Sequence, residues 1–523
     1  MATLLSRPAS AVTARSDSWL LANAWKVAAL TLLAIWVLAI GASHEPWFDE
    51  AQAWLIARDS GLYDLLAHRV RYEGTPGLWH VILWIAIRAG LPYSKLYLLP
   101  ASLGIGAAAI VLWRAPFPPW LRVGIIFSYF FAYQFSVLAR SYSVELLLVP
   151  LLALWYPRRI EQPLRYAVAI GLLANLNAHG FVAAAALGME LAWELFKQRK
   201  LPPQRALVAL ALSGALGLFA LLCAWQPADN GYIHHTAEWS FWKAAFWATV
   251  NPLRHAFIDR PFILSQREPQ ATDALLGLAV TLVLLWPSIK FIASAPARAA
   301  SIGALTALLL FSILVYSGPW HSGLLFLFWI FGLWISWPNE PARVTREVKI
   351  GIAVIIGVQV VQTVSTGIWD VQNIYSPARD AAGVVQRFRA AHPGARVAGF
   401  GFKSFAIQPY FPANQFANYK NGAATASWVD WRRGEAWVPM PETQDWQKLL
   451  DGRPDLIVAS VVHADPALLN PAACRAGYAE MRRFVGDEHW RGAHYEHDTL
   501  AIFERGPSIT CRNAQSPGQQ QKR

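Results

Sequence analysis

The sequence predicts an α-helical, polytopic membrane protein with a small α/β or α+β domain at its carboxyl end. Three observations carry that prediction. The 523 residues are 55% hydrophobic and only 15% charged, too oily for a soluble domain and suited to a chain whose main solvent is lipid. Long apolar runs recur from residue 24 to residue 368, and after Trp369 they give way to mixed polar and apolar sequence. The 26 Trp, 26 Phe and 16 Tyr suit aromatic belts at the membrane boundaries as well as packed cores. A net charge of +12 raises nucleic acid as a partner, but Lys and Arg stand in short clusters between apolar runs rather than along one soluble face, which argues against it.

Residues 1–23 read as a cytoplasmic amino-terminal segment carrying Arg7 and Arg15. The apolar run behind them, 24–43, is long and lacks a small-residue cleavage site, so it reads as a retained first span. Further runs near 95–113, 122–139, 142–157, 166–180, 181–196, 206–225, 273–293, 300–317, 321–338 and 349–368 bring the candidates to eleven, judged against the roughly 20 residues that about 30 Å of hydrocarbon demands. Several are short, and only His179 and Gly180 separate the fifth from the sixth. Pro76 to Leu91 holds Arg88 and is bounded by prolines, so it fits a helix lying in the interface better than a crossing one.

The basic residues arbitrate. With Pro76 to Leu91 uncrossed, five clusters all fall in cytoplasmic loops: Arg114 with Arg122; Arg158, Arg159 and Arg165; Lys197, Arg199, Lys200 and Arg205; Lys290 with Arg298; and Arg343, Arg346 and Lys349. With it crossed, every later loop inverts. The expected organisation is therefore a transmembrane part at 24–368 with its amino terminus inside, an extracytoplasmic domain at 369–507, and a disordered tail at 508–523.

The stretch that stands out in this frame is His44 to Trp54, HEPWFDEAQAW, which sets the adjacent carboxylates Asp49 and Glu50 just outside the first span. Paired acids beside a bilayer call for a chemical use, although a solvated loop would carry them too. They open a first external loop, 44–94, that also holds Glu73. The same topology brings Arg140 (in LARSYS), His179 (NLNAHGF), a second external loop (226–273) and His321 (GPWHSG) to the outer face, where one site could collect them. Each has a plainer role as well: Arg140 as a cation snorkelling at a span end, the histidines as packed or interfacial residues. In the second loop, His234 and His235 precede Trp239, Phe241, Trp242, Phe246 and Trp247, a spacing that suits a helix resting on the interface. Such a helix either anchors the chain or gates a site opening to lipid.

Beyond Trp369, DAAGVVQRFRAAHPG reads as a helix, and ARVAGFGF, PDLIVASVV and DTLAIFER read as strands. Cys223 lies in an apolar run, whereas Cys474 and Cys511 both fall in the outer domain, where a disulfide is chemically permitted. No nucleophile elbow, P-loop or dinucleotide fingerprint marks this domain.

An external acidic pair after a first span, then GTPGLWH, then LARSYS, resembles the GT-C glycosyltransferases, and among them the bacterial protein O-mannosyltransferase and aminoarabinose-transferase-like branch. The likeness covers residues 25–200; beyond them only the architecture is similar. Thr75, Pro76 and Gly77 stand where such proteins often carry His-Pro-Pro. The resemblance implies a GT-C-like enzyme of the cytoplasmic (inner) membrane that moves a sugar, with inversion, from a polyprenyl-phosphate carrier to an envelope acceptor on the outer side. It implies a catalytic role for Asp49 and Glu50 and substrate-binding roles for Arg140, Glu73, His80, His179, His321 and Tyr142.

The residue types suit that chemistry. Asp49 is a candidate base for the acceptor hydroxyl, with Glu50 orienting it or holding the acceptor. Arg140 offers a permanent forked cation to the departing phosphate. Carboxylate and imidazole leave room for a divalent ion, magnesium or manganese, but no tight metal spacing is present. Membrane lipids are partners by construction. Two other classes remain: a non-catalytic assembly protein with a degenerate GT-C fold, and a secondary transporter. The transporter reading lacks paired Gly- or Pro-broken segments in two halves and has its ionisable groups at span ends.

Overall fold

A computed structural model describes residues 10–198, 202–231, 241–259, 271–338, 340, 344–432, 443–461, 466–491 and 493–506. The described residues are mostly helical, with a small sheet near the carboxyl end. Among the described residues, five helices are long and apolar enough to cross a membrane: Asn23–Ser43, Tyr93–Arg114, Gln204–Ala224, Ala271–Ser294 and Arg346–Gln372. The first is the end of α1 (Ser10–Ser43).

By that measure the expected eleven spans become five, and the six other runs show why. Residues 122–139 do not form one rod: helix Pro119–Ile126 stops, and the chain turns through a π-helical segment, Phe130–Gln134. Runs 142–157, 166–180, 300–317 and 321–338 give helices Tyr142–Trp155, Pro163–Ala174, Arg298–Leu314 and Ser322–Ser336, of 12 to 17 residues. At about 1.5 Å per residue these reach roughly 18–26 Å, short of the hydrocarbon thickness. Run 181–196 lies in helix Ala178–Gln198, which has the length but carries Glu190, Glu194 and Lys197. The boundary between the fifth and sixth runs falls at Asn175, whose side-chain amide donates to the Gly171 and Leu216 carbonyls and stops the helix before His179. Hydropathy summed along a chain does not register the break at Asn175, which rests on side-chain hydrogen bonds.

Pro76 to Leu91 forms helix Leu78–Arg88, 11 residues and about 16 Å. Arg88 stacks on Trp84 and donates to the Ala57 and Ser60 carbonyls, pinning this helix to the end of α2 (Phe48–Asp59). In the second loop, helix Phe241–Ala256 is present, but it packs against Ala271–Ser294, Arg298–Leu314 and Ser322–Ser336. Trp242 is exposed, while Val250 and Ala256 are buried. It is anchored in the bundle at one end instead of lying wholly on its surface. His234, His235 and Trp239 lie outside the described residues.

The carboxyl-terminal sheet has the order β1–β2–β4–β3, with β1 (Val397–Phe400) parallel to β2 (Leu456–Ser460) and the rest antiparallel. Alternation along each strand builds two cores. Val397, Leu456, Val458, Leu500 and Ile502 face helix Ala378–Ala391, whereas Ala398, Ile457, Ala459, Ala501 and Phe503 face Trp446 and Leu469. Phe48 and Ala51 of α2 belong to the first of these cores, so the first loop is packed into the carboxyl-terminal domain. β3 (Tyr478–Trp490), which the sequence reading did not find, pairs with β4 (Ala493–Arg505) in a long hairpin. Its tip reaches into the bundle: Arg491 is buried, donates to the Ala256 and Phe257 carbonyls and lies over Tyr129 and Phe130. Cys474 is disulfide-bonded and Cys223 is free and buried; Cys511, the expected partner, and the tail lie outside the described residues.

Candidate functional site

The site begins where α1 ends. Pro46 cannot extend the helix, and the chain restarts at Trp47, whose amide donates to Glu50 Oε2 at 3.2 Å. Asp49 and Glu50 thus occupy the first turn of α2, where the helix dipole favours carboxylates. Their environments differ. Glu50 is buried and fully engaged: Oε1 accepts from Ala139 N–H at 2.6 Å, and Oε2 faces His44 Nε2 at 3.2 Å. His44 Nδ1 faces Asp370 Oδ2 at 2.9 Å, and Tyr133 donates to the same oxygen. Burial pulls the His44 imidazole down, but Asp370 and Glu50 outweigh it and raise its pKa to about 10. His44 is therefore an imidazolium between two carboxylates.

Asp49 is turned the other way, partly exposed and ion-paired with Arg140, whose guanidinium also lies over Trp47. Glu50 ties the backbone of Ala139, the residue before Arg140, to α2, so it holds the two halves of that pair in place. The expected role of Glu50 as a group that touches acceptor is not served by this geometry, since both its oxygens are occupied inside the protein.

Around Arg140 the structure collects the other candidates. Glu73 accepts from Gln52 Nε2 at 2.9 Å and Trp431 Nε1 at 3.0 Å. Gly74, at φ +62°, turns the chain immediately after it and leaves no space for a side chain against Gln226. Burial, opposed by the Gln52 and Trp431 hydrogen bonds and assisted by Asp49, pushes the Glu73 carboxyl up to about 7. His80 and His321 are buried within the electrostatic reach of Arg140, and so is Tyr142. His321 accepts from Gly318 N–H at 2.8 Å, meets Tyr142 edge-on, and stacks on His179 with ring centroids 4.7 Å apart. The eight residues expected from four separate stretches of sequence therefore lie in one neighbourhood.

No family model matches the chain. Nor does any curated protein match it in sequence.

Among the described residues, no group of three or more His, Cys, Asp or Glu side chains has an arrangement that could hold a metal ion. The stacked His179 and His321 rings are 17° from parallel, and His321 Nδ1 already accepts from Gly318 N–H. Two orphaned buried nitrogens, His80 Nδ1 and His179 Nε2, are better suited to meeting a polar ligand.

Several residues of this neighbourhood were not foreseen. His44 and Asp370 stand 326 positions apart; an acid at the end of the last apolar run was the available signal. Gln52 and Trp431 gave none. Glu145 lies buried one helical turn beyond Tyr142 and accepts from Asn177 at 2.6 Å; an acid inside an apolar run could have marked it.

Proposed function

We propose that the chain is a membrane glycosyltransferase that moves a sugar from a polyprenyl-phosphate carrier to an envelope acceptor, lipid, glycan or protein, at the face bearing the carboxyl-terminal domain. The observation that carries the reading is the convergence of Glu73, His80, Tyr142, His179 and His321 on the Asp49–Arg140 pair. In the reaction, an acceptor hydroxyl oxygen attacks the anomeric carbon as the bond to phosphate oxygen breaks. The hydroxyl proton passes to the Asp49 carboxylate and the bonding pair leaves with the phosphate, whose charge Arg140 stabilises. The pair must open for this to happen, with phosphate taking the place of Asp49 on the guanidinium. Glu73, His80 and His179 supply polar contacts for sugar or phosphate. The accompanying topology is a GT-C-like bundle in the cytoplasmic membrane, amino terminus inside and carboxyl-terminal domain outside.

The closed Asp49–Arg140 pair also favours a second reading, a non-catalytic assembly protein in which the pair is merely structural. One experiment separates the two. Purified wild type and Asp49→Asn, both shown to be folded, are incubated with a panel of polyprenyl-phosphate sugars and an envelope extract, and free polyprenyl phosphate is measured. Release by wild type alone, with sugar on an extract component, is the expected result. Release from no donor favours the assembly role, and equal release by both proteins removes Asp49 as the base.

A further inference from the structure

A cleft of about 70 Å³ opens beside the end of α1, lined in part by His44 and Glu50 but not by Asp49. Its floor is apolar, made by Gly41 and Ala42 at the end of α1 and by Leu96 and Val137. Helices Asn23–Ser43 and Tyr93–Arg114, both long and apolar enough to cross a membrane, meet here, one ending and the other beginning. The cleft therefore sits at the level where a bilayer would change from hydrocarbon to headgroups. Its polar lining includes donor-bearing side chains, Tyr93, Ser94, Tyr97, Tyr410 and Arg379 with its half-exposed guanidinium, beside His44 and the engaged carboxylate of Glu50. Lys95 adds a second cation at the rim, over the Tyr97 ring.

One of these donors is out of balance. Tyr93 is only 8% exposed and its hydroxyl has no hydrogen-bond partner, an unfavourable state that a ligand would relieve. Donors around a cationic fork, above an apolar floor, complement an oxyanion attached to a hydrocarbon chain.

We propose that this cleft binds the phosphate headgroup of a membrane lipid, with Arg379 and the Tyr93 hydroxyl as its principal contacts. The site is separate from the Asp49–Arg140 pair and does not rest on the transferase reading. Two carboxylates lie nearby and neither blocks it. Glu50 is held by His44 and backbone amides. Glu45 stands 3.6 Å from the Arg379 guanidinium, and burial pushes its carboxyl up to about 7, so near neutrality it takes up a proton when a phosphate displaces it.

The test uses the full chain, purified in detergent, with three probes: lysophosphatidic acid, a monoacylglycerol of equal chain length, and inorganic phosphate. Wild type, Arg379→Ala, Tyr93→Phe and Arg505→Ala, the last an arginine of the outer sheet that does not line the cleft, are compared by native mass spectrometry, with thermal unfolding as the fold control. Lysophosphatidic acid is expected to bind wild type and Arg505→Ala equally, about tenfold more weakly to Arg379→Ala and about threefold more weakly to Tyr93→Phe, which removes one oxygen and keeps the ring. Monoacylglycerol binding is expected to be the same in all four. Inorganic phosphate binding as tightly as the lipid overturns the lipid as occupant and assigns a free anion. Equal lysophosphatidic acid binding by all four proteins, or an equal loss in Arg379→Ala and Arg505→Ala, overturns the site itself.

Discussion

His44 shows how much of the site rests on groups buried inside the protein. Replacing it with Ala leaves Glu50 and Asp370 buried without their shared cation, and losing one member of a buried charge network costs about 3–5 kcal/mol. His44→Ala is expected to lower the apparent melting temperature sharply. His44→Ala combined with Glu50→Gln and Asp370→Asn is expected to recover much of the loss, because no unpaired charge remains; no recovery would sink the account. Glu73 gives a pH signature of known sign. Its carboxyl is raised to about 7 in the folded protein, so between about 4.5 and 7 the folded state holds a proton that the unfolded state has released. Stability contributed through Glu73 is thus present at low pH and falls as pH rises through that window. Melting temperatures of wild type and Glu73→Gln measured from pH 4.5 to 7.5 should diverge progressively with rising pH, the variant lacking that part of the decline. Parallel curves would mean that Glu73 titrates normally. At this scale the sequence was informative about charge beside apolar runs, which exposed Asp49, Glu73 and Arg140. It was silent on Gln52 and Trp431, whose partners are set by tertiary contact alone.

Elements are held together by close approaches that hydropathy does not register. A side chain at Gly351 would come within 2.4 Å of the Leu284 carbonyl, so helices Arg346–Gln372 and Ala271–Ser294 touch backbone to backbone, as small residues permit between apolar helices. Gly351→Ala should force them apart at a cost of about 1–3 kcal/mol, whereas the same change at Gly357, which meets nothing within 4 Å, should be neutral or mildly stabilising. Similar melting temperatures for the two variants would refute that packing. The hairpin β3–β4 makes a second joint. Trp490 is buried against Tyr129 and Phe130, and Trp490→Ala is expected to cost about 3–5 kcal/mol and to expose the hairpin tip to protease at lower temperature than in wild type. The strands of the domain were legible where both faces are apolar, as in PDLIVASVV. β3 was not, because charged residues interrupt its pattern YAEMRRFVGDEHW, and its strand character comes from pairing with β4.

For the molecule as a whole, the fold class was legible because composition alone sets the solvent, while the number of full-length spans was not, because a break such as that at Asn175 involves a hydrogen bond to Leu216 in another helix. Topology is directly measurable: reporters fused after Pro119 and after Lys200 should both report cytoplasm, and an external signal at Pro119 would overturn the proposed orientation. The two parts of the protein are also less separable than a boundary at Trp369 suggests, since Phe48 and Ala51 complete the core of the carboxyl-terminal domain and Gln52 exchanges hydrogen bonds with Val429. That interlock has a consequence for the newly made chain. The first polar loop emerges from the ribosome early, yet its partners at Asp370, Val429 and Trp431 are the work of the last third of translation. Until then Asp49 and Arg140 have no finished surroundings, so a chain cut short by a nonsense codon or a stalled ribosome cannot carry a completed site, and whatever chemistry the site performs is withheld until synthesis is nearly over.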